Sequence, residues 1–117
     1  MKIKKGKKML YIKKASVFSL SFQLFQVDGL TPLDCSDLII KFIIKKEKSD
    51  TDTDCVLPIQ TFENPDTNLL LVQYLASQTA QLDEGSYIGA LKVFRANSVN
   101  EEIWSSPIEV KKGVFNE

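Results

Sequence analysis

Residues 75–94, LASQTAQLDEGSYIGALKVF, constrain the fold more tightly than any other stretch of the chain. Ser77 is placed to cap one turn of helix, with its hydroxyl accepting the free N–H of Ala80. Gln78 to Gln81 suits that single turn, and Leu82 is the apolar residue that presses it onto a core. Gly85 falls where the chain must reverse, a conformation that glycine reaches without a Cβ penalty. From Tyr87 the pattern changes to period two, with Tyr87, Gly89, Leu91 and Val93 on one face of a strand. The spacing Asp83-x-Gly85-x-Tyr87 is that of a tyrosine corner, in which a phenol at the start of a strand bonds back to the preceding backbone. Ser77, Leu82, Gly85 and Tyr87 are therefore expected to be structural, and none of them carries chemistry.

The rest of the chain reads as strands. Phe18, Leu20, Phe22 and Leu24 alternate with Ser19, Ser21 and Gln23, the signature of a half-buried strand. Asp28-Gly29 and Thr31-Pro32 mark the loop after it. Leu38, Ile40, Phe42 and Ile44 form the inward set of the next strand, because the alternate set carries Lys41 and Lys45. A polar tip, EKSDTDTD, separates it from a short strand over residues 55–59, which Pro58 confines to an edge. Glu63-Asn64-Pro65-Asp66 is a turn, and Asn68 to Tyr74 is a strand apolar on both faces, which leaves its register open. Residues 96–100 are a turn. The last strand, residues 101–112, has Trp104, Ile108 and Val110 in phase, with Pro107 marking a bulge or an exposed edge. The expected fold is all-β: an immunoglobulin-like β-sandwich of about seven antiparallel strands, with one short helical turn at the E–F corner. Residues 15–117 form this domain. Residues 1–14 read as a basic N-terminal arm, with Met9 to Ile12 as a short edge strand.

Composition excludes much of catalysis. The chain of 117 residues has no histidine, which removes imidazole-based triads and histidine-ligated zinc. Cys35 and Cys55 do not form a CxxC motif, and free thiols are expected, with a Cys35–Cys55 bridge left open. The position two after the corner tyrosine, where a sandwich disulfide would place a cysteine, is Gly89. Asp50-Thr51-Asp52-Thr53-Asp54 lacks the glycine and distal glutamate of a calcium loop and reads as a solvated hairpin tip. Glu47, Glu63, Glu101 and Glu102 have no spacing that defines a catalytic pair, so no enzyme and no cofactor are expected. No apolar run approaches the roughly 20 residues that span a bilayer, and no signal-peptide core follows the basic start, so neither a membrane span nor secretion by that route is expected.

Charge and apolarity are unevenly distributed. Seven lysines lie in residues 1–14, and the first acid is Asp28. Lys4, Lys5, Lys7 and Lys8 read as part of a flexible tail or of an arm lying on an acidic neighbouring subunit. Nucleic acid is the weaker reading, since only Tyr11 interleaves an aromatic. On the strands of one sheet the outward sets contain Ile39, Ile43, Ile88, Phe94 and Ile103, an apolar patch of the kind that assembly components use as an interface. A register shift of one residue would exchange the two faces.

Three stretches taken in order, VFSLSFQLFQVDGLTPLDCSDLIIKFIIKK, LASQTAQLDEGSYIGALKVF and EEIWSSPIEVKKGVF, resemble small immunoglobulin-like structural proteins of tailed bacteriophages. Relatives include the domain that begins some upper baseplate proteins, and similar capsid and tail accessory modules. The most specific piece is Gln78, Thr79, Leu82, Gly85 and Tyr87 in the pattern Q-T-x-x-L-x-x-G-x-Y. The resemblance implies a non-enzymatic virion part, made in the host bacterial cytoplasm. Its implied partners are capsid, neck, tail or baseplate subunits and symmetry-related copies of itself. The lysine arm departs from this pattern. A carbohydrate- or host-surface-binding accessory module is the alternative, with Trp104 and Tyr11 as its candidate aromatics.

Overall fold

Alternating burial sorts eight strands and one helical turn into two facing sheets in the computed structural model, which describes residues 2–4, 10–47, 49–51, 54–95 and 101–112. The strands are β1 (Lys2–Lys4), β2 (Leu10–Lys13), β3 (Phe18–Phe25), β4 (Leu38–Lys45), β5 (Gln60–Glu63), β6 (Leu69–Tyr74), β7 (Gly85–Arg95) and β8 (Glu101–Lys111), with α1 (Ala76–Thr79) between β6 and β7. One sheet has the order β1-β3-β6 and the other β2-β8-β7-β4-β5. The pairs are antiparallel except β2 with β8, which run parallel and make the larger sheet mixed. The expectation of a wholly antiparallel sandwich is corrected there.

The core forms where the inward sets meet. Phe22 and Leu24 of β3 and Leu70, Val72 and Tyr74 of β6 face Ile40, Phe42, Ile44, Leu91 and Ile108 of the larger sheet, all essentially inaccessible to solvent. At its centre the Phe22 ring meets Trp104 edge-on, with centroids 4.8 Å apart, while Phe42 stacks on Trp104 at 6.1 Å. Gly89 belongs to this packing. A Cβ there would lie 2.7 Å from Ile108 Cδ1 and 3.4 Å from Phe42 Cζ, so the bare glycine makes room for both. Cys35 is buried and Cys55 half-buried, and both are free thiols.

Three segments differ from the sequence-based expectation. Lys2–Lys4 is a strand paired to β3 through Lys2↔Phe25 and Lys4↔Gln23, so the start of the supposed arm belongs to the sandwich. Residues 55–59 form no strand. Val56 N–H donates to the Ile44 carbonyl, but Pro58 has no N–H with which to extend a ladder. Pairing resumes at β5, which lies against β4 in the larger sheet. In β8 the irregularity is not at Pro107. Leu91 pairs with Trp104 and Lys92 with Glu102, so Ile103 is the extra residue of a bulge.

Candidate functional site

The corner is built as its residue types require, with one change of role. Tyr87 is buried and its hydroxyl donates to the Asp83 carbonyl at 2.7 Å, which closes the turn into β7. Gly85 has a φ of 141°, outside the range comfortable for residues with a Cβ. Leu82 is buried in the core beneath α1. Ser77 is not the cap: the N-cap is Leu75, and Ser77 lies within the helical turn. Gln78 supplies the capping bond instead, its Oε1 accepting the Leu75 N–H at 2.8 Å. Thr79, fully buried, donates its hydroxyl to the Ser16 carbonyl at 2.7 Å and accepts the Ser16 N–H at 3.1 Å. This two-way clamp fixes the β2–β3 turn beside Ala15, which holds a positive φ of 62°. Every position of the pattern Q-T-x-x-L-x-x-G-x-Y thus has a local structural task.

The outward face of β4, β7 and β8 carries the candidate interface. Cross-strand pairing sets Ile39 opposite Phe94, Lys41 opposite Lys92, Ile43 opposite Ala90, and Lys45 opposite Ile88, with Pro107 next to Ile88. Ile39 is 37% exposed, and Ile88 and Phe94 are half-buried. Ile43 faces outward but is only 1% exposed. It is flanked on the same face by Lys41 and Lys45, whose long apolar stems cover such neighbours. The Lys41 ammonium lies 5.0 Å from the Phe94 ring centroid, and Lys45 Nζ donates to the Asp50 carbonyl. Ile103 packs on the core because the bulge turns it inward, so it is removed from the outward set. The five-residue patch therefore resolves into two apolar spots, Ile39 with Phe94 and Ile88 with Pro107. The paired rows of Lys41–Lys92 and the buried Ile43–Ala90 separate them.

Other sequence candidates are placed as follows. Lys4 lies in β1, whereas Lys5, Lys7 and Lys8 fall outside the described residues. Asp52 and Thr53 also lie outside them. Asp50 accepts the Glu47 N–H, forming part of a polar turn, and no group of three or more metal-ligating side chains occurs among the described residues. No helix among them is long and apolar enough to cross a membrane. Trp104 is committed to the core. Tyr11 is 52% exposed, with Lys111 Nζ 4.5 Å from its ring centroid. Burial pushes the Cys35 thiol above its ordinary pKa, and Asp34 beside it acts in the same direction, which keeps the thiol protonated and unreactive near neutrality.

Two features escaped the sequence reading. The side-chain amide of Gln60 bonds both backbone groups of Gln73, donating to its carbonyl at 2.7 Å and accepting its N–H at 3.3 Å. Leu69 and Leu71 of β6 point outward, 54% and 55% exposed. The doubly apolar composition of β6 was the available signal, but without a register it did not say which leucines face water. Compared with known protein families and with curated proteins, the sequence matches none.

Proposed function

We propose that this chain is an immunoglobulin-like domain acting as a non-enzymatic structural component of a tailed-phage virion. In this reading it docks onto neighbouring capsid, neck, tail or baseplate subunits through the outward face of β4, β7 and β8. The immunoglobulin-like part is supported by the distribution of strands: β3 and β6 in one sheet, β4, β7 and β8 in the other, with a tyrosine corner entering β7. The observation that carries the docking role is the pair of apolar spots, Ile39 with Phe94 and Ile88 with Pro107, on a face that otherwise holds half-buried Lys41 and Lys92, buried Lys45, and the exposed polar residues Ser86, Glu102 and Ser105. Apolar anchors set in a polar surround are the usual anatomy of a protein–protein interface. Lys41, poised over Phe94, favours a partner that brings a carboxylate to the rim of that spot.

The test is co-sedimentation of the chain with particles in a lysate of cells that produce them. Migration with the particle band at fixed stoichiometry supports the proposal. Migration only with the soluble fraction, together with binding of the purified chain to glycans, would replace it with the carbohydrate-binding reading. That alternative has lost Trp104 to the core and retains only Tyr11.

A further inference from the structure

The open edge of β6 presents a second surface, independent of the docking face. In the β3–β6 ladder, the Leu24 N–H donates to the Asn68 carbonyl at 2.9 Å, so Asn68 lies on the hydrogen-bonded side of its pairing with Leu24. Antiparallel pairs alternate, which puts the backbone groups of Leu70, Val72 and Tyr74 toward β3 and those of Leu69, Leu71 and Gln73 away from it. The Gln60 bonds to Gln73 confirm this parity, since they reach it from the side opposite β3. No strand pairs with that side of β6 among the described residues. Gln73 is satisfied by Gln60, and the Leu69 N–H makes only a long bond of 3.3 Å to the Thr67 hydroxyl. Leu71 and the Leu69 carbonyl are left facing solvent, beneath two exposed leucine side chains.

We infer that β6 is a site of edge-to-edge pairing with a second copy of this chain. Unpaired backbone donors and acceptors in strand conformation are recognised by another extended strand. The identity of that strand follows from register and charge. Antiparallel pairing of Leu69 with Leu71 of a second copy, and the reverse, joins the free backbone groups, takes over the Leu69 N–H from its long bond to Thr67, and leaves each Gln73 with its own Gln60. Identical strands satisfy that arrangement across a two-fold axis. It also gathers the four outward leucines on one face. Residues 67–75 carry no charge, nor do Ser19 and Ser21 on the adjoining strand, so two copies meet there without like-charge repulsion. The outward face of the other sheet, with Lys41 opposite Lys92, lacks that property.

The contact is small. Its buried area is on the order of a few hundred Å², against the roughly 1,200–2,000 Å² of stable complexes, so dimerisation is weak and becomes substantial only where copies are concentrated. Sedimentation equilibrium of the full chain from about 10 μM to about 1 mM reads this directly. The average mass should rise toward that of a dimer at the upper end, with concentration-dependent amide shifts at Leu69 and Leu71 in NMR spectra. Leu71→Lys should weaken association at least about tenfold by placing two ammonium groups near the axis, with an unchanged circular dichroism spectrum because Leu71 is outward. A wild-type chain that stays monomeric throughout overturns the inference. So does a dimer that persists unweakened in Leu71→Lys, or one whose amide shifts map to β4 and β7. These readings need no particle, so their failure is separate from failure of the docking proposal.

Discussion

Buried hydroxyls carry the most specific information in this molecule. Tyr87 uses one to close the corner on the nearby Asp83 carbonyl, and Thr79 uses one to tie the helical turn to the distant backbone of Ser16. Tyr87→Phe should lower unfolding stability by about 1 kcal/mol in a urea titration, the net worth of one hydrogen bond. Thr79→Val should cost more, about 1–3 kcal/mol, because it leaves the buried clamp without its hydroxyl: the Ser16 carbonyl loses its donor, and the Ser16 N–H keeps only the Lys13 carbonyl. Tyr74 adds a pH dependence. Its hydroxyl donates to the Pro58 carbonyl at 2.8 Å, and burial raises its pKa well above the ordinary value of 10.0, with Cys55 acting in the same direction. Burial raises Tyr87 as well. The unfolded chain thus loses these protons before the folded one does. Their stabilising contribution is complete below about pH 10 and declines as pH rises above it. Thermal unfolding from pH 8 to 11 should show a constant melting temperature and then a fall, and Tyr74→Phe should make that fall shallower. The tyrosine corner was readable from the spacing of Asp83, Gly85 and Tyr87. The cap was not, because Ser77 and Gln78 are both competent residues and only the position of the first helical bond decides between them.

At the level of elements, β3, β4, β6, β7 and β8 were legible because each has a periodic inward set and a turn signal at its ends. Two misreadings have different causes, a pairing partner distant in sequence for β1 and a single inserted residue in β8. Lys2–Lys4 looks too charged to bury, yet a strand at a sheet edge needs only its backbone to pair, and β3 offers one. The Ile103 bulge was invisible because one extra residue changes which face a side chain takes without altering local composition. β1 therefore makes a stability prediction that a free arm does not. Deleting residues 1–8 uncovers one edge of β3 and should lower the melting temperature by several degrees, the shift that about 1 kcal/mol produces in a domain of this size. An arm without structural contacts would leave the melting temperature unchanged and alter only the salt dependence of binding.

Across the whole molecule, the two sheets divide the work. The inward sets close a core centred on Phe22, Phe42, Tyr74 and Trp104, and the docking proposal rests on what points outward. Alternation located Ile39, Ile88 and Phe94 on that face, but it could not show that Ile43 is covered or that lysines divide the apolar surface in two. Phe94 is the residue on which the docking proposal turns. It is half-buried, outward, and lies under the Lys41 ammonium. Glutamate at this position would find a cation already beside it, so Phe94→Glu should fold and melt close to wild type while losing the apolar anchor. The decisive measurement is the amount of Phe94→Glu chain incorporated per particle relative to wild type, in cells producing both the particle and the variant. Loss of at least about tenfold, corresponding to about 1.4 kcal/mol of docking free energy, with normal soluble expression and folding, is the predicted result. Incorporation equal to wild type would contradict docking through this face.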